Sequence, residues 1–206
     1  MWIVRSQSLR IWTIQPWSVW LQIKKSGVYY TNENLSHWLH PRDHLLEDEF
    51  TKAYRWMTKQ MQEKISLPPK SVTVPIWCWY AQDKHVAPHN RYYSNQACIE
   101  LELPVNKVLL SDFDLWHVVL MDGFVPPDDM DFEKYSKADD RIEALPELEK
   151  RKIIEQSWQH IFDVKKDGQW IQGCIWQINY DDVIKVYHHH DNHRLKVFTP
   201  KRKIFD

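Results

Sequence analysis

The chain has 206 residues, of which 43% are hydrophobic and 27% are charged, and its formal net charge is -1. This composition is typical of one globular domain with a buried core, and it excludes a globally basic nucleic-acid-binding protein. Three scattered cysteines are too few for a disulfide scaffold or a zinc ribbon. No stretch resembles a signal peptide or reaches the roughly 18 apolar residues of a membrane helix. We therefore expect a cytoplasmic protein without membrane contact.

Tryptophan and glycine occur at unusual frequencies, with 12 tryptophans and only 4 glycines in the chain. A P-loop or a GxGxxG turn needs clustered glycines so that the backbone can approach a phosphate closely, and this chain has no such cluster. GxSxG, HExxH and CxxC motifs are also missing from the sequence. If the protein handles a nucleotide, it does so without a glycine-rich loop.

Hydrophobic periodicity predicts one strand and two helices near the start of the chain. Residues 9–15 alternate large apolar with polar side chains, which is typical of a strand. Pro16 stands where a helix can begin, and Gly27 is a stop signal after it. From about residue 45 to residue 65, apolar side chains recur at helical spacing, so we expect one long amphipathic helix there.

The middle of the chain predicts three further strands. Residues 72–80 alternate as a strand does, and Pro75 indicates an edge position or a bulge in that strand. Residues 97–103 alternate apolar with polar side chains, which predicts a strand with one wet face. Residues 108–110 form a shorter apolar run that leads into a short helix.

The second half of the chain predicts a helix and three strands after an irregular segment. Residues 122–150 are rich in acidic residues and prolines, and we expect a mobile surface excursion there with one helix. Residues 153–162 have the spacing of an amphipathic helix. The class is therefore α+β, in a single domain over residues 1–206. The three later strands are expected at residues 170–178, 183–187 and 195–198.

Histidines and aspartates with a metal-like spacing have simpler explanations. His188–His190 are consecutive, and neighbouring strand residues point to opposite faces, so these rings cannot reach one ion without a turn. With His193 they are better read as an exposed polar hairpin. Asp112 and Asp114 resemble a divalent-metal pair, but most such pairs before a helix are caps or turn formers. We therefore predict no metal site.

The Pro75–Tyr80 segment places aromatic side chains on both faces of one strand. Both faces cannot easily be exposed to water, so one packs under a helix or lines a cavity. A wall of planar rings suits a flat heterocycle such as nicotinamide or a nucleobase. Other tryptophans at helical or strand spacing are expected in the core, among them Trp20, Trp158 and Trp176.

Several blocks of the sequence resemble an uncharacterised bacterial domain family. The Trp12–Pro16 segment is similar to the start of that family, and the matching blocks together span residues 9 to about 185. The resemblance to this family implies no particular activity. Its later blocks match residues 53–57, 75–80, 109–116 and 157–163.

The order of these blocks also resembles that of the DarT-type DNA-modifying toxins and other ADP-ribosyltransferases. Trp12–Gln15 matches their first strand and places Thr13 at the usual histidine position. Residues 74–80 match their aromatic strand. Residues 171–176 match the strand that carries their catalytic glutamate, although this chain has Gln172 there.

This resemblance implies an ADP-ribosyltransferase-like α+β fold, with short mixed or antiparallel strands in a split sheet and flanking helices. It implies an NAD-dependent ADP-ribosyltransferase, a bacterial toxin that modifies messenger RNA or DNA in toxin–antitoxin phage defence. A neutralising antitoxin protein would then be a partner. NAD is the implied cofactor.

The same resemblance implies roles for individual residues. A glutamine supplies no negative charge to the developing oxocarbenium ion, so the acid would come from elsewhere, with Glu155 and Asp112 as the two candidates. In this assignment Gln172 holds the ribose. Thr13 and Gln15 contact the cofactor, Tyr30 and either Trp79 or Tyr80 stack on it, and Arg55, Arg91, Lys201 and Arg202 attract a nucleic acid.

Two other functions remain open at this stage. The missing glutamate favours a non-catalytic module whose aromatic cleft recognises a nucleotide, a base or a partner. A metal-dependent nuclease would instead use Asp112, Asp114 and the histidines.

Overall fold

The computed structural model describes residues 7–31, 47–69, 72–80, 95–127, 130–164, 170–189 and 195–200. These residues form an α+β fold, as the sequence predicts. The strands are β1 (Ser8–Pro16), β2 (Val28–Tyr29), β3 (Ile76–Tyr80), β4 (Gln96–Pro104), β5 (Leu109–Asp112), β6 (Ile171–Ile175), β7 (Ile178–Asn179), β8 (Val183–His189) and β9 (Leu195–Phe198). The α-helices are α1 (Trp17–Ser26), α2 (Glu47–Lys64), α3 (Phe113–Leu120), α4 (Phe132–Glu143) and α5 (Glu147–Ser157).

Seven of these strands form one continuous sheet in the order β5-β6-β3-β1-β4-β8-β9. Each neighbouring pair in it is antiparallel. The two short strands β2 and β7 pair separately. The antiparallel strands agree with the mixed or antiparallel strands that the sequence resemblance implies, but the main sheet is continuous and not split.

Strand β4 lies in the interior of the sheet, and both of its faces are mostly buried. Glu100, expected on a wet face, is only 6% exposed. Its carboxylate accepts a hydrogen bond from the hydroxyl of Tyr187 at 3.2 Å and lies 3.9 Å from the guanidinium of Arg10. The expectation of a wet face was wrong at Glu100 because side chains of the two neighbouring strands, Arg10 of β1 and Tyr187 of β8, lie against it, which sequence alternation does not reveal.

The tryptophan-rich strand β3 begins directly after Pro75 and lies between β1 and β6. It is not an edge strand, and the prediction from Pro75 was wrong in this respect. Proline lacks the N–H that a sheet requires, and here it precedes the first paired residue, Ile76, so no ladder hydrogen bond is lost.

Helix α1 covers one face of the main sheet. It starts after Pro16 and ends at Gly27, which has the left-handed φ of 80° that glycine adopts without strain. Val19, Trp20 and Ile23 of this helix are buried against the sheet together with apolar side chains of β1, β3, β4 and β6. The strand, helix and glycine predicted at the start of the chain are confirmed.

Helices α2, α3 and α5 contribute to a second core that contains Trp77, Leu109, Cys174 and Trp176 of the sheet region. Met57 and Met61 of α2 are completely buried there. The predicted long amphipathic helix is confirmed, and α5 continues into a 3-10 turn at Trp158–Phe162. No α-helix in the part of the chain that the structure describes is long and apolar enough to cross a membrane.

The acid-rich segment 122–150 contains α4 and the start of α5, and its first residues pack into the second core. Asp122 pairs with Lys52 at 3.2 Å and also with Arg151. The amide of Val125 donates to Ser157 Oγ at 2.9 Å, and the Val125 side chain is completely buried. These contacts tie the beginning of the segment to α2 and α5.

Asp112 caps helix α3 at its N-terminus. Its carboxylate Oδ1 accepts a hydrogen bond from the amide of Leu115 at 2.9 Å. A carboxylate at this position satisfies one of the free N–H groups of the first turn and complements the helix dipole. The capping interpretation of this residue is thus confirmed.

Replacing Asp112 with alanine should reduce the free energy of unfolding by about 1 kcal/mol, because the cap hydrogen bond is lost. Asp114 is exposed in the same first turn and makes no cap, so Asp114→Ala should cost about 0.3 kcal/mol. Urea denaturation of both variants measures the difference. If both variants lose the same free energy of unfolding, the cap hydrogen bond contributes no stability beyond that of a negative charge in the first turn.

Candidate functional site

Four side chains form a row across neighbouring strands on the face of the sheet opposite α1. Trp12 of β1 lies opposite Trp79 of β3, Trp79 opposite Gln172 of β6, and Gln172 opposite Ser111 of β5. Directly opposed residues of antiparallel strands point to the same face, with Cβ atoms about 4.5–5.5 Å apart. Strand order and register therefore bring together residues that are up to 160 positions apart in sequence.

A cavity of about 540 Å³ lies over this part of the sheet. Its floor comes from β1, β3 and β6, and α2, α3 and the residue after α3 form the remaining described walls. Most of the lining is apolar or aromatic, as is typical of small-molecule sites. The lining residues are Ile14, Phe50, Tyr54, Trp77, Cys78, Trp79, Phe113, Trp116, His117, Leu120, Met121 and Gln172.

The rings around the cavity hold one another in fixed orientations. Trp77 and Trp116 have their centroids 4.8 Å apart, and Tyr54 meets both of them edge-on at 5.8 and 5.7 Å. Trp79 packs on Phe113 at 4.8 Å. Such contacts add stability beyond the buried area, so the aromatic wall is pre-organised.

Three buried polar atoms of the cross-strand row have no hydrogen-bond partner among the described residues. They are Nε1 of Trp12, Oγ of Ser111 and Nε2 of Gln172, and they are three of five such atoms in that part of the protein. Gln172 lines the cavity and is only 6% exposed. A buried unpaired donor costs about 1–3 kcal/mol, so these groups are unusual features that indicate a binding role.

His117 supplies an imidazole at the rim of the cavity. Its Nδ1 lies 2.8 Å from the carbonyl oxygen of Phe113, which can only accept, so Nδ1 carries the proton and donates. The ring also meets the Phe113 ring edge-on at 4.4 Å. In the neutral form, Nε2 is therefore left with a lone pair for a ligand or for a proton.

The described lining of the cavity contains no carboxylate, lysine or arginine. Burial raises the pKa of the Tyr54 hydroxyl far above its usual range, with a further contribution from Cys174. Burial also raises the pKa of the Cys78 thiol, while its hydrogen bond with Thr13 opposes this shift. These groups remain neutral at physiological pH, which favours a planar ring over an anionic group as the buried part of a ligand.

Thr13 and Gln15 lie on the other face of the sheet, towards α1. Thr13 is buried and its hydroxyl donates to the carbonyl oxygen of Trp77 at 2.9 Å, while the Gln15 amide donates to Thr13 Oγ1 at 2.8 Å. The implied arrangement, in which Thr13 and Gln15 contact the same cofactor on which Trp79 stacks, was wrong because these side chains lie on different faces of the sheet. The strands β1 and β3 are hydrogen-bonded neighbours, and their alternating side chains divide between two faces.

The predicted stacking residues are also separated. Trp79 lines the cavity, whereas Tyr80 packs against the core under α1. Tyr30 is 39% exposed and follows β2, the short strand paired with β7. Of the predicted cofactor contacts, the structure thus brings Trp79 together with the ribose-holding candidate Gln172.

Glu155 lies outside the aromatic cavity. Its carboxylate pairs with Lys52 at 2.7 Å and lines a separate polar groove between α2 and α5. Arg55 is exposed on α2. The other three basic residues predicted to attract nucleic acid, Arg91, Lys201 and Arg202, lie outside the described residues.

The histidine cluster is described only in part. His188 stacks on Trp17 with ring centroids 3.9 Å apart, and its Nδ1 donates to the carbonyl oxygen of Gln96 at 3.1 Å. His190 and His193 lie outside the described residues. Among the residues that the structure does describe, no group of three or more histidine, cysteine, aspartate or glutamate side chains is placed to hold a metal ion.

Sequence reasoning missed most of the cavity. The spacing of Phe113 and His117 places them on one face of α3, and Ser111 follows the alternation of β5. The sequence shows this pattern, but we interpreted it only as a strand followed by a short helix and not as part of a site. The residues that no earlier expectation assigned to a site are Trp12, Tyr54, Trp77, Ser111, Phe113, Trp116 and His117.

The chain belongs to the family described as "Domain of unknown function (DUF3841)", whose model matches residues 10–184. This confirms the resemblance to an uncharacterised domain family. No curated protein and no solved structure matches the chain. The residues of the cavity are therefore the basis for a proposed function.

The three cysteines should be unreactive while the protein is folded. Burial raises the pKa of Cys98 to about 12, and it raises the pKa values of Cys78 and Cys174 as well. Since the thiolate is the reactive form, labelling by a disulfide reagent at pH 8 should be more than roughly 100-fold slower in the native than in the denatured protein. Rapid native labelling would contradict the buried positions.

The same shifts predict a pH dependence of stability. The folded state holds the thiol protons more tightly than the unfolded chain, whose thiols titrate near about 8.5. This contribution is therefore fully present below about pH 8 and falls progressively as the pH rises from there towards the raised pKa values of the folded state, about 12 for Cys98. Guanidinium denaturation at pH 7 to 10 measures the loss, and replacing all three cysteines with alanine should reduce its slope.

Proposed function

We propose that this member of the DUF3841 family binds a nucleotide and places its planar ring, a nucleobase or nicotinamide, in the aromatic cavity. The observation that carries the proposal is the buried amide of Gln172, which lines the cavity beside Trp79 and lacks a partner in the described part of the chain. A stacked ring with a polar edge would satisfy both features at once.

The size and chemistry of the cavity support this ligand class. Its volume of about 540 Å³ lies within the roughly 300–1,000 Å³ of typical small-molecule pockets. Stacking on aromatic side chains contributes about 1–3 kcal/mol per base and depends little on base identity. The neutral aromatic lining accommodates a planar ring better than an anionic group.

The residues present fit the nicotinamide end of NAD. The ring can stack in the aromatic cavity, and its carboxamide oxygen can accept from the Gln172 amide. The described lining offers no cationic side chain for the pyrophosphate, which would then lie at the open side of the cavity. When bound, NAD would supply an ADP-ribosyl group.

Binding should depend on Trp79 and not on a tryptophan of the opposite face. A panel of NAD, nicotinamide, inosine, adenosine and uridine can be tested by isothermal titration calorimetry and ligand-observed NMR. Trp79→Leu should weaken binding by about 5- to 150-fold, because one stacking surface is lost. Trp17, which stacks on His188 under the other face, supplies the matched control Trp17→Leu.

An unchanged affinity in Trp79→Leu would place the ligand elsewhere. If none of the five compounds binds to the folded wild-type protein at millimolar concentration, the proposal is rejected.

ADP-ribosyl transfer to RNA or DNA is the second candidate, and the position of Gln172 favours it. The sequence resemblance to DarT-type toxins aligns Gln172 with the strand of the catalytic glutamate, and this residue lines the cavity. Transfer breaks the bond between C1′ of the ribose and nicotinamide, and nicotinamide leaves with the electron pair. The acceptor atom forms the new bond to C1′ and loses a proton, and in this proposal His117 Nε2, whose partner nitrogen Nδ1 donates to the Phe113 carbonyl, takes that proton.

A glutamine cannot supply the negative charge that stabilises the oxocarbenium-like state. This proposal therefore implies a slow enzyme whose Gln172→Glu variant is faster, by about 10-fold or more. Release of nicotinamide measures cleavage of NAD by the wild type and by the variant. Transfer of label from labelled NAD to RNA, single-stranded DNA or protein measures ADP-ribosylation. Activity that falls in His117→Ala would support the role of that imidazole.

Absence of nicotinamide release and of label transfer in both the wild type and Gln172→Glu, with the fold intact, would reject the enzyme. A toxin role and a neutralising antitoxin protein belong to this second proposal and would be rejected with it.

A further inference from the structure

The cross-strand row beneath the cavity holds three unpartnered polar atoms. Trp12 Nε1 and Gln172 Nε2 carry N–H groups, and Ser111 Oγ can turn its proton towards an acceptor. Of these three residues, Gln172 lines the cavity, whereas the lone pair of His117 Nε2 belongs to helix α3 at the rim. The described lining has no carboxylate, so the environment at Gln172 favours an acceptor on the ligand.

We infer that the cavity selects rings that present a carbonyl oxygen at the edge facing Gln172, and that it discriminates against rings with an amino group there. Hypoxanthine, guanine and nicotinamide belong to the favoured class, and adenine belongs to the disfavoured one. This inference rests on the proposed binding of a planar ring in the cavity.

Ser111 leaves the Gln172 amide free for a ligand. It is completely buried and lies directly opposite Gln172 on the adjacent strand, yet neither Gln172 Nε2 nor Ser111 Oγ has a hydrogen-bond partner among the described residues. Since Gln172 lines the cavity and Ser111 does not, a carbonyl oxygen of the ligand would accept from the Gln172 amide. An amino group in the same place would face the Gln172 N–H groups and leave these donors without a partner, which is how sites built for hydrogen bonds reject analogues.

On the opposite face of the sheet, the strand side chains complete their hydrogen bonds, although the indole Nε1 of Trp20 in α1 has no partner there among the described residues. There, the Gln15 amide donates to Thr13, whose hydroxyl donates to the backbone carbonyl of Trp77. Every donor in that short chain has an acceptor. Only the cavity side of the same strands leaves amide, indole and hydroxyl protons without one among the described residues.

Inosine and adenosine form the matched pair of ligands for the test. They differ chiefly at C6 of the purine, where inosine carries an oxygen and adenosine an amino group. Inosine gains one hydrogen bond from Gln172, whereas adenosine leaves that donor unpaired. Inosine should therefore bind about 10-fold more tightly to the wild-type protein. Titration calorimetry or NMR titration measures both dissociation constants.

Variants of Gln172 distinguish the contribution of hydrogen bonding from that of the shape of the ligand. Gln172→Leu removes the amide and should bring the two affinities to about the same value, with both ligands still bound by stacking. Gln172→Glu places an acceptor at the same position and should reverse the preference. Gln60→Leu is the control, because Gln60 is another buried glutamine that lies on α2 and accepts from Gln159 away from the cavity.

The possible outcomes distinguish this inference from the proposed function. Tighter inosine binding that is lost in Gln172→Leu and kept in Gln60→Leu supports the inference. Equal binding by the wild type, a preference for adenosine, or a preference that survives Gln172→Leu overturns it, while ring binding itself stands. If neither nucleoside binds, the proposed function fails and this inference fails with it.

Discussion

The position of β6 between β3 and β5 is the constraint on which the cavity depends. This pairing places Gln172 between Trp79 and Ser111, and a slip of one residue would turn Ile171 or Gly173 towards the cavity instead. Gly173 faces the other side, where an added Cβ would lie 2.9 Å from the side chain of Val108. A larger residue there would push β6 and the segment before β5 apart, so the close approach at one face supports the polar row on the other.

Elements whose signal is local could be predicted from the sequence. Strand β1, helix α1 with its end at Gly27, and helix α2 follow from periodicity and end signals within short windows. Predictions about exposure failed where the answer depended on a distant partner. Glu100 alternates like a residue of a half-exposed strand, but it is buried because Arg10 and Tyr187 of the two adjacent strands lie against its carboxylate.

The candidate site could be predicted only in outline for the same reason. The rings of residues 75–80 indicated a wall for a planar ligand, and alternation even divided them into two sets. Which set faces a cavity depends on which helix covers which face, and that is a long-range property. Thr13 and Trp79 looked like parts of one site because they were assigned from a linear order of blocks, which carries no information on the direction of side chains.

The two faces of the sheet also differ in what their buried polar groups contribute to stability. On the α1 face, Gln15, Thr13 and the Trp77 carbonyl form a completed chain of hydrogen bonds, and the Trp20 indole is an unpartnered donor there. On the cavity face, three polar side chains that can donate have no acceptor among the described residues. Each such donor lowers the stability of the empty protein by about 1–3 kcal/mol. A ligand that accepts from these donors would remove that penalty and would stabilise the native state further through mass action. The buried donors are therefore better explained as part of a site that is complete only with its ligand than as part of the hydrophobic core.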